Sequence, residues 1–128
     1  MELEEQIKIL TVDDNPVNLF LISTIVKKIC PDAIVYEAKN GAEALEYYKQ
    51  NAPDLLFLDL KLPDIHGLEV AKIIRATDSG KRTPIVVVSA NNAEESGYDA
   101  SSNLIDDFVD KPIKYDSLKA IIDKFILD

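Results

Sequence analysis

Three carboxylates, a hydroxyl and a lysine all stand where apolar runs end. Asp13 and Asp14 close the run I-K-I-L-T-V-D-D, and Asp59 closes D-L-L-F-L-D. Ser89 ends P-I-V-V-V-S, and Lys111 follows F-V-D. Short runs of this kind read as strands, and the strand ends of an open parallel sheet converge on one edge, where such folds place their sites. Two carboxylates about 4 Å apart repel by about 4 kcal/mol at an effective dielectric near 20. Three gathered there call for a hard cation, and oxygen ligands beside a phosphate partner favour Mg²⁺ (or Mn²⁺) over softer metals. With a cation in place, one carboxylate can attack phosphorus and become an aspartyl phosphate. Lys111 would offset charge on the equatorial oxygens and Ser89 would donate a hydrogen bond. Adjacent Asp13 and Asp14 suit metal holding. Asp59 stands alone before the loop L-K-L-P-D-I-H-G, shaped by turn residues Pro63 and Gly67, and is the better nucleophile.

The elements that must position these groups follow from the apolar pattern. Strands are expected over 7–12, 33–36, 54–58, 84–88 and 107–109. Several are nearly continuous in Ile, Val, Leu and Phe, as strands buried on both faces are. Helical spacing fills the intervals. Residues 16–29 carry the stripes Leu21–Ile25 and Ile22–Val26–Ile29, with Pro16 in the first turn and Asn15 as cap. Residues 41–50 place Ala44, Leu45 and Tyr48 together, and 67–76 place Val70, Ala71 and Ile74. Residues 115–126 align Leu118, Ile121, Ile122 and Phe125, with Asp116 near the start to complement the helix dipole. The segment 92–102 has poor helix formers, including Gly97, Asp99 and Ser101, and is expected to be the least stable helix. Five strands alternating with five helices predict an α/β fold with a doubly wound parallel sheet, its strand order left open by pattern alone.

Composition sets the remaining bounds. The 128 residues fit one domain, 1–128, with no room for a separate output module, and are equally compatible with a domain cut from a longer protein. A net charge of −9 argues against direct nucleic-acid binding. No run suits a membrane span, and the acidic start M-E-L-E-E-Q is unlike a secretory signal, so the expected compartment is cytoplasmic. Cys30 is the sole cysteine, which excludes an internal disulfide and reads as a small apolar residue. His66 reads as a polar cap or surface residue, and the tyrosines as packing or surface groups.

Taken together, D-D at 13–14, D at 59, P and G at 63 and 67, S-A at 89–90 and K-P at 111–112 resemble the receiver domain of two-component response regulators over nearly the whole chain. The resemblance implies a flavodoxin-like (βα)5 fold with strand order 2-1-3-4-5. It implies a metal held by Asp14, Asp59, Asp13 (usually through water) and the backbone carbonyl of Lys61. It makes Asp59 the phosphoacceptor, fed by a histidine kinase or histidine phosphotransfer protein, with Ser89 and Lys111 on the phosphoryl group. The Lys111–Pro112 bond is commonly cis in this family. A switch is implied in which Ser89 swings toward phosphate and Phe108 turns inward behind it, altering a 92–126 surface read by a downstream partner. A homodimer through that surface is left open. Lys61 and Asn91 are at the positions that tune water attack on the phosphate. Leu62 and D-I-H-G depart from the commoner Met and M-D-G, and D-D-N-P-V-N at 13–18 resembles receivers of hybrid kinases and phosphorelays. Two rivals remain in view. A constitutive pseudo-receiver would predict loss of a site residue. A metal-dependent phosphohydrolase would need an acid/base beside Asp59 and a covering cap.

Overall fold

Unbroken apolar strands need cover on both faces, and the fold supplies it. The computed structural model describes residues 6–77, 82–89 and 104–127. Among these, β1 (Lys8–Val12), β2 (Ile34–Ala38), β3 (Leu55–Leu58), β4 (Ile85–Ser89) and β5 (Asp107–Asp110) form one sheet. Every pairing is parallel and the order is β2-β1-β3-β4-β5, the flavodoxin-like arrangement that the resemblance implies. Four α-helices accompany them among the described residues: α1 (Pro16–Ile29), α2 (Gly41–Asn51), α3 (Gly67–Thr77) and α4 (Tyr115–Ile122). The expected helix over 92–102 lies outside the described residues, as does Asn91.

Side chains alternate between two cores along each central strand. Ile9, Leu55, Phe57, Val86 and Val88 pack with α1 and α4 on one face. Leu10, Leu56, Leu58, Ile85 and Val87 pack with α2 and α3 on the other. This two-sided burial explains why β3 and β4 are apolar at every position up to their last residues. The expected helix faces are the buried ones: Val70, Ala71 and Ile74 in α3, Leu118, Ile121 and Ile122 in α4. Asn15 caps α1, its side chain accepting from the Val17 amide, with Pro16 at the first position.

The last helix differs from a plain 115–126 helix. After α4 it widens into a π-helical turn, Asp123–Leu127. Phe125 and Ile126 both pack, partly buried, against the core that α1 and α4 share. Among the described residues no helix is long and apolar enough to cross a membrane.

Candidate phosphoacceptor and cation site

The backbone hydrogen bonds of the sheet run one residue past three strands, and this fixes the site residues. The Asp13 amide donates to the Ala38 carbonyl at 3.0 Å, and the Asp59 amide to the Val12 carbonyl at 3.0 Å. The Lys111 amide donates to the Ser89 carbonyl at 2.9 Å. Asp13, Asp59, Ser89 and Lys111 are thus held by the sheet itself at its C-terminal edge, which is more rigid than a loop can be.

Their side chains converge. Asp13, Asp14 and Asp59 each present a carboxylate oxygen within 4.8 Å of the others. Lys111 Nζ lies 3.2 Å from Asp13 Oδ2 and 3.4 Å from Asp59 Oδ2. Asp13 and Asp59 are 2% and 6% exposed, so this charge is held largely out of water. Asp14 is exposed at the rim. Three carboxylates face one ammonium, leaving two negative charges uncompensated when all are ionised. Burial raises the Asp59 carboxyl above the usual carboxylate range, and Asp13 raises it further. Lys111 and the Lys61 amide, which donates to Asp59 Oδ1 at 3.2 Å, pull the other way. The donor set is hard oxygen with surplus negative charge, and it fits a divalent cation.

Asp13 is oriented more fully than the others. Its Oδ1 accepts from the Asn15 amide at 2.9 Å and its Oδ2 from Asn18 Nδ2 at 3.1 Å. Asn18 thereby helps to hold the site, a role its place in the first turn of α1 does not announce. Ser89 is buried at the end of β4. Phe108 is half-buried on the edge strand β5, opposite Val87. The Lys111–Pro112 peptide is cis. Lys61 is exposed beside Asp59. His66 is an exposed cap, its Nδ1 accepting from the Leu68 amide at 3.1 Å.

One surface feature escapes the periodicity reading. Val17 and Phe20 are 68% and 70% exposed on the first turns of α1. The stripes of that helix account for its buried side, whereas these two apolar residues stand in solvent directly after Asp13 and Asp14.

The chain matches the response regulator receiver domain family over residues 9–123. It is 34% identical to the chemotaxis protein CheY of Bacillus subtilis over 117 residues, which cover 91% of this chain and 95% of that protein. It is 33% identical to the hybrid signal transduction histidine kinase L of Dictyostelium discoideum over 124 residues, 92% of this chain but 7% of the kinase. The response regulator TrrA of Thermotoga maritima, solved in complex with Mg²⁺-BeF, superposes with a TM-score of 0.80 at 33% identity, covering 94% of this chain and 100% of that one. The chain spans a small part of the kinase and nearly the whole of CheY. This chain belongs to the response regulator receiver domain family of two-component signalling.

Proposed function

We propose that this chain is a phosphoacceptor switch in which Asp59 takes a phosphoryl group from a phosphohistidine of a histidine kinase or histidine phosphotransfer protein. The observation that carries the reading is the meeting of Asp13, Asp14, Asp59 and Lys111 at one point of the sheet edge. Asp13, Asp14, Asp59 and the Lys61 carbonyl would hold Mg²⁺. When bound, the cation neutralises the acids and the charge that builds on the phosphoryl oxygens. An Asp59 carboxylate oxygen attacks phosphorus, the bond from phosphorus to the donor imidazole nitrogen breaks, and that nitrogen takes up a proton. Lys111 releases Asp59 and turns to the new phosphoryl group, joined by the Ser89 hydroxyl. Hydrolysis reverses the state: water attacks phosphorus, inorganic phosphate leaves, and the Asp59 carboxylate returns.

Phosphorylation would be read through Ser89 and Phe108. Phe108 has no hydroxyl, so its two positions differ only in burial, and an edge strand leaves it room to turn. The 92–126 surface would present the result to a downstream protein. Val17 and Phe20 supply the apolar contact for the donor, because a protein that delivers phosphate to Asp59 must cover the rim beside Asp13 and Asp14.

The test is an intact mass after incubation with Mg²⁺ and a small phosphodonor. One labile phosphoryl group, absent in Asp59→Asn and with EDTA, is expected. A protein that neither takes phosphate nor binds Mg²⁺ would be a pseudo-receiver. Phe20→Ala should leave small-donor phosphorylation unchanged and slow transfer from a protein donor about tenfold. Equal slowing with both donors would remove Phe20 from the docking surface.

A further inference from the structure

The loop that carries Lys61 is pinned from an element with no ligand of its own. At its base the Gly67 amide donates to the Leu60 carbonyl at 2.8 Å. In its middle, Asp64 Oδ1 accepts from the Gly41 amide at 2.8 Å and Oδ2 from the Ala42 amide at 2.9 Å, both in the first turn of α2. Oδ1 also accepts from the Ile65 amide at 2.9 Å. Beside this clamp Ile65 lies so close to Gly41 that a Cβ there would stand 2.6 Å from its Cγ1. Helix α2 has a cap of its own: Asn40 Oδ1 accepts from the Glu43 amide at 2.8 Å. Asp64 therefore adds two bonds to a helix start that is already capped, and those bonds come from across the fold.

We propose that Asp64 is a positioning residue of the cation site: by clamping the loop between Leu60 and Gly67 onto the N-terminus of α2, it fixes the backbone at Lys61 for the metal. The carboxylate sits at the positive end of the helix dipole with three amide donors, a geometry that one residue can hold firmly at the surface. Lys61 lies three residues before it, tied at its other side by its own amide to Asp59. The loop thus has fixed points on both sides of Lys61. Release of the Asp64 clamp leaves the carbonyl at position 61 to be ordered at the moment of binding, which weakens affinity. This inference rests on the Mg²⁺ reading above.

The experiment compares two cap deletions on the same helix. Asp64→Ala and Asn40→Ala each remove a side chain that serves the start of α2, and both should lower Tm by a few degrees. Only Asp64→Ala frees the loop. Calorimetric titration with Mg²⁺ alone should show affinity about tenfold weaker in Asp64→Ala and unchanged in Asn40→Ala. Asp64→Asn, which keeps one acceptor oxygen, should fall between. In the metal-free protein, the amides of residues 61, 62, 64 and 65 should exchange faster in Asp64→Ala only. Wild-type affinity in Asp64→Ala, or equal weakening in both deletions, would overturn the assignment. A wild-type protein that binds no Mg²⁺ would overturn the metal reading itself, and this one with it.

Discussion

At the N-terminal edge of the sheet one acid lies between two arginines; at the C-terminal edge one lysine lies between two acids. Asp106 accepts from Arg75 at 2.7 Å, from Arg82 at 2.8 Å and from the Ile85 amide at 2.8 Å. Arg75 also donates to the carbonyls of Thr83 and Leu104, which ties the end of α3 to the entries of β4 and β5. The acid there is fully met by donors of the fold itself. Lys111 has only its ammonium to set against Asp13, Asp14 and Asp59, and surplus negative charge remains. The same sheet has its acid outnumbered by cations at one edge and its acids in excess at the other, the open edge. Open charge costs stability unless a ligand supplies the missing cation, so the difference separates what holds the fold from what awaits chemistry.

The sharpest way to test that contrast is Asp59→Asn. It should abolish phosphorylation outright while raising the stability of the metal-free protein. The Asp59 carboxyl is raised in the folded state by burial and Asp13. Below the ordinary carboxylate range both folded and unfolded chains hold the proton, and Asp59 costs nothing. As pH rises through the window up to the raised folded value, the unfolded chain loses its proton first, and stability falls. Asp59→Asn should therefore gain Tm at neutral pH, about 4 °C for each kcal/mol, and gain nothing at low pH. Thermal melts in EDTA across pH measure this. A neutral-pH melt unchanged by the substitution would mean the acids are already balanced.

At the N-terminal edge the expectation reverses. Arg75→Leu should cost about 2–3 kcal/mol, since Asp106 then keeps the Ile85 amide but, of the two arginines, the half-exposed Arg82 alone. Tm would drop by about 10 °C. Mg²⁺ affinity, measured by titration well below the melt, should stay at the wild-type value. A loss of affinity there would join the two edges energetically. Gly67→Ala is expected to be smaller but to cross the divide. A Cβ at that position would stand 2.5 Å from the Asp59 carbonyl oxygen and 2.7 Å from Leu60 Cα. Both are backbone atoms and cannot swing aside, so about 1–3 kcal/mol should be lost. The displaced backbone is that of Asp59, the proposed acceptor, so phosphorylation by a small donor should slow as well. Slowing without destabilisation, or the converse, would show that the close approach serves one purpose only.

Much of this was written in local pattern. Two-sided burial makes strands continuous, so β3 and β4 stand out, and the acids, Ser89 and Lys111 are found because each ends such a run. The Asp64 clamp was not readable, because it joins residues 23 positions apart and Asp64 looks like any turn aspartate. Val17 and Phe20 hid inside an amphipathic helix whose other side satisfied the pattern. Ala52 closes α2 with φ 46°, where chain patterns would ask for glycine. Arg75 reads as a surface residue in the last turn of α3, and only the fold brings Asp106 to it. In each instance the missing information is the partner, which sequence spacing does not carry.

The smallest expected effect concerns how long the open edge stays filled. Lys61 is exposed, two residues past Asp59, and its amide already donates to the Asp59 carboxylate. Its side chain is exposed, so Lys61→Ala should change stability by no more than about 0.5 kcal/mol. Water that hydrolyses the acyl phosphate must approach phosphorus opposite the Asp59 oxygen, from the solvent side of the site. We propose that the long Lys61 side chain obstructs or reorients this water. Its removal should shorten the phosphate lifetime about fivefold, equivalent to about 1 kcal/mol of barrier. The decay of the phosphorylated mass after donor removal reads this directly. An unchanged lifetime would leave Lys61 with a backbone role alone, and would place the timing of the switch in the edge's fixed acids and not in the loop that passes over them.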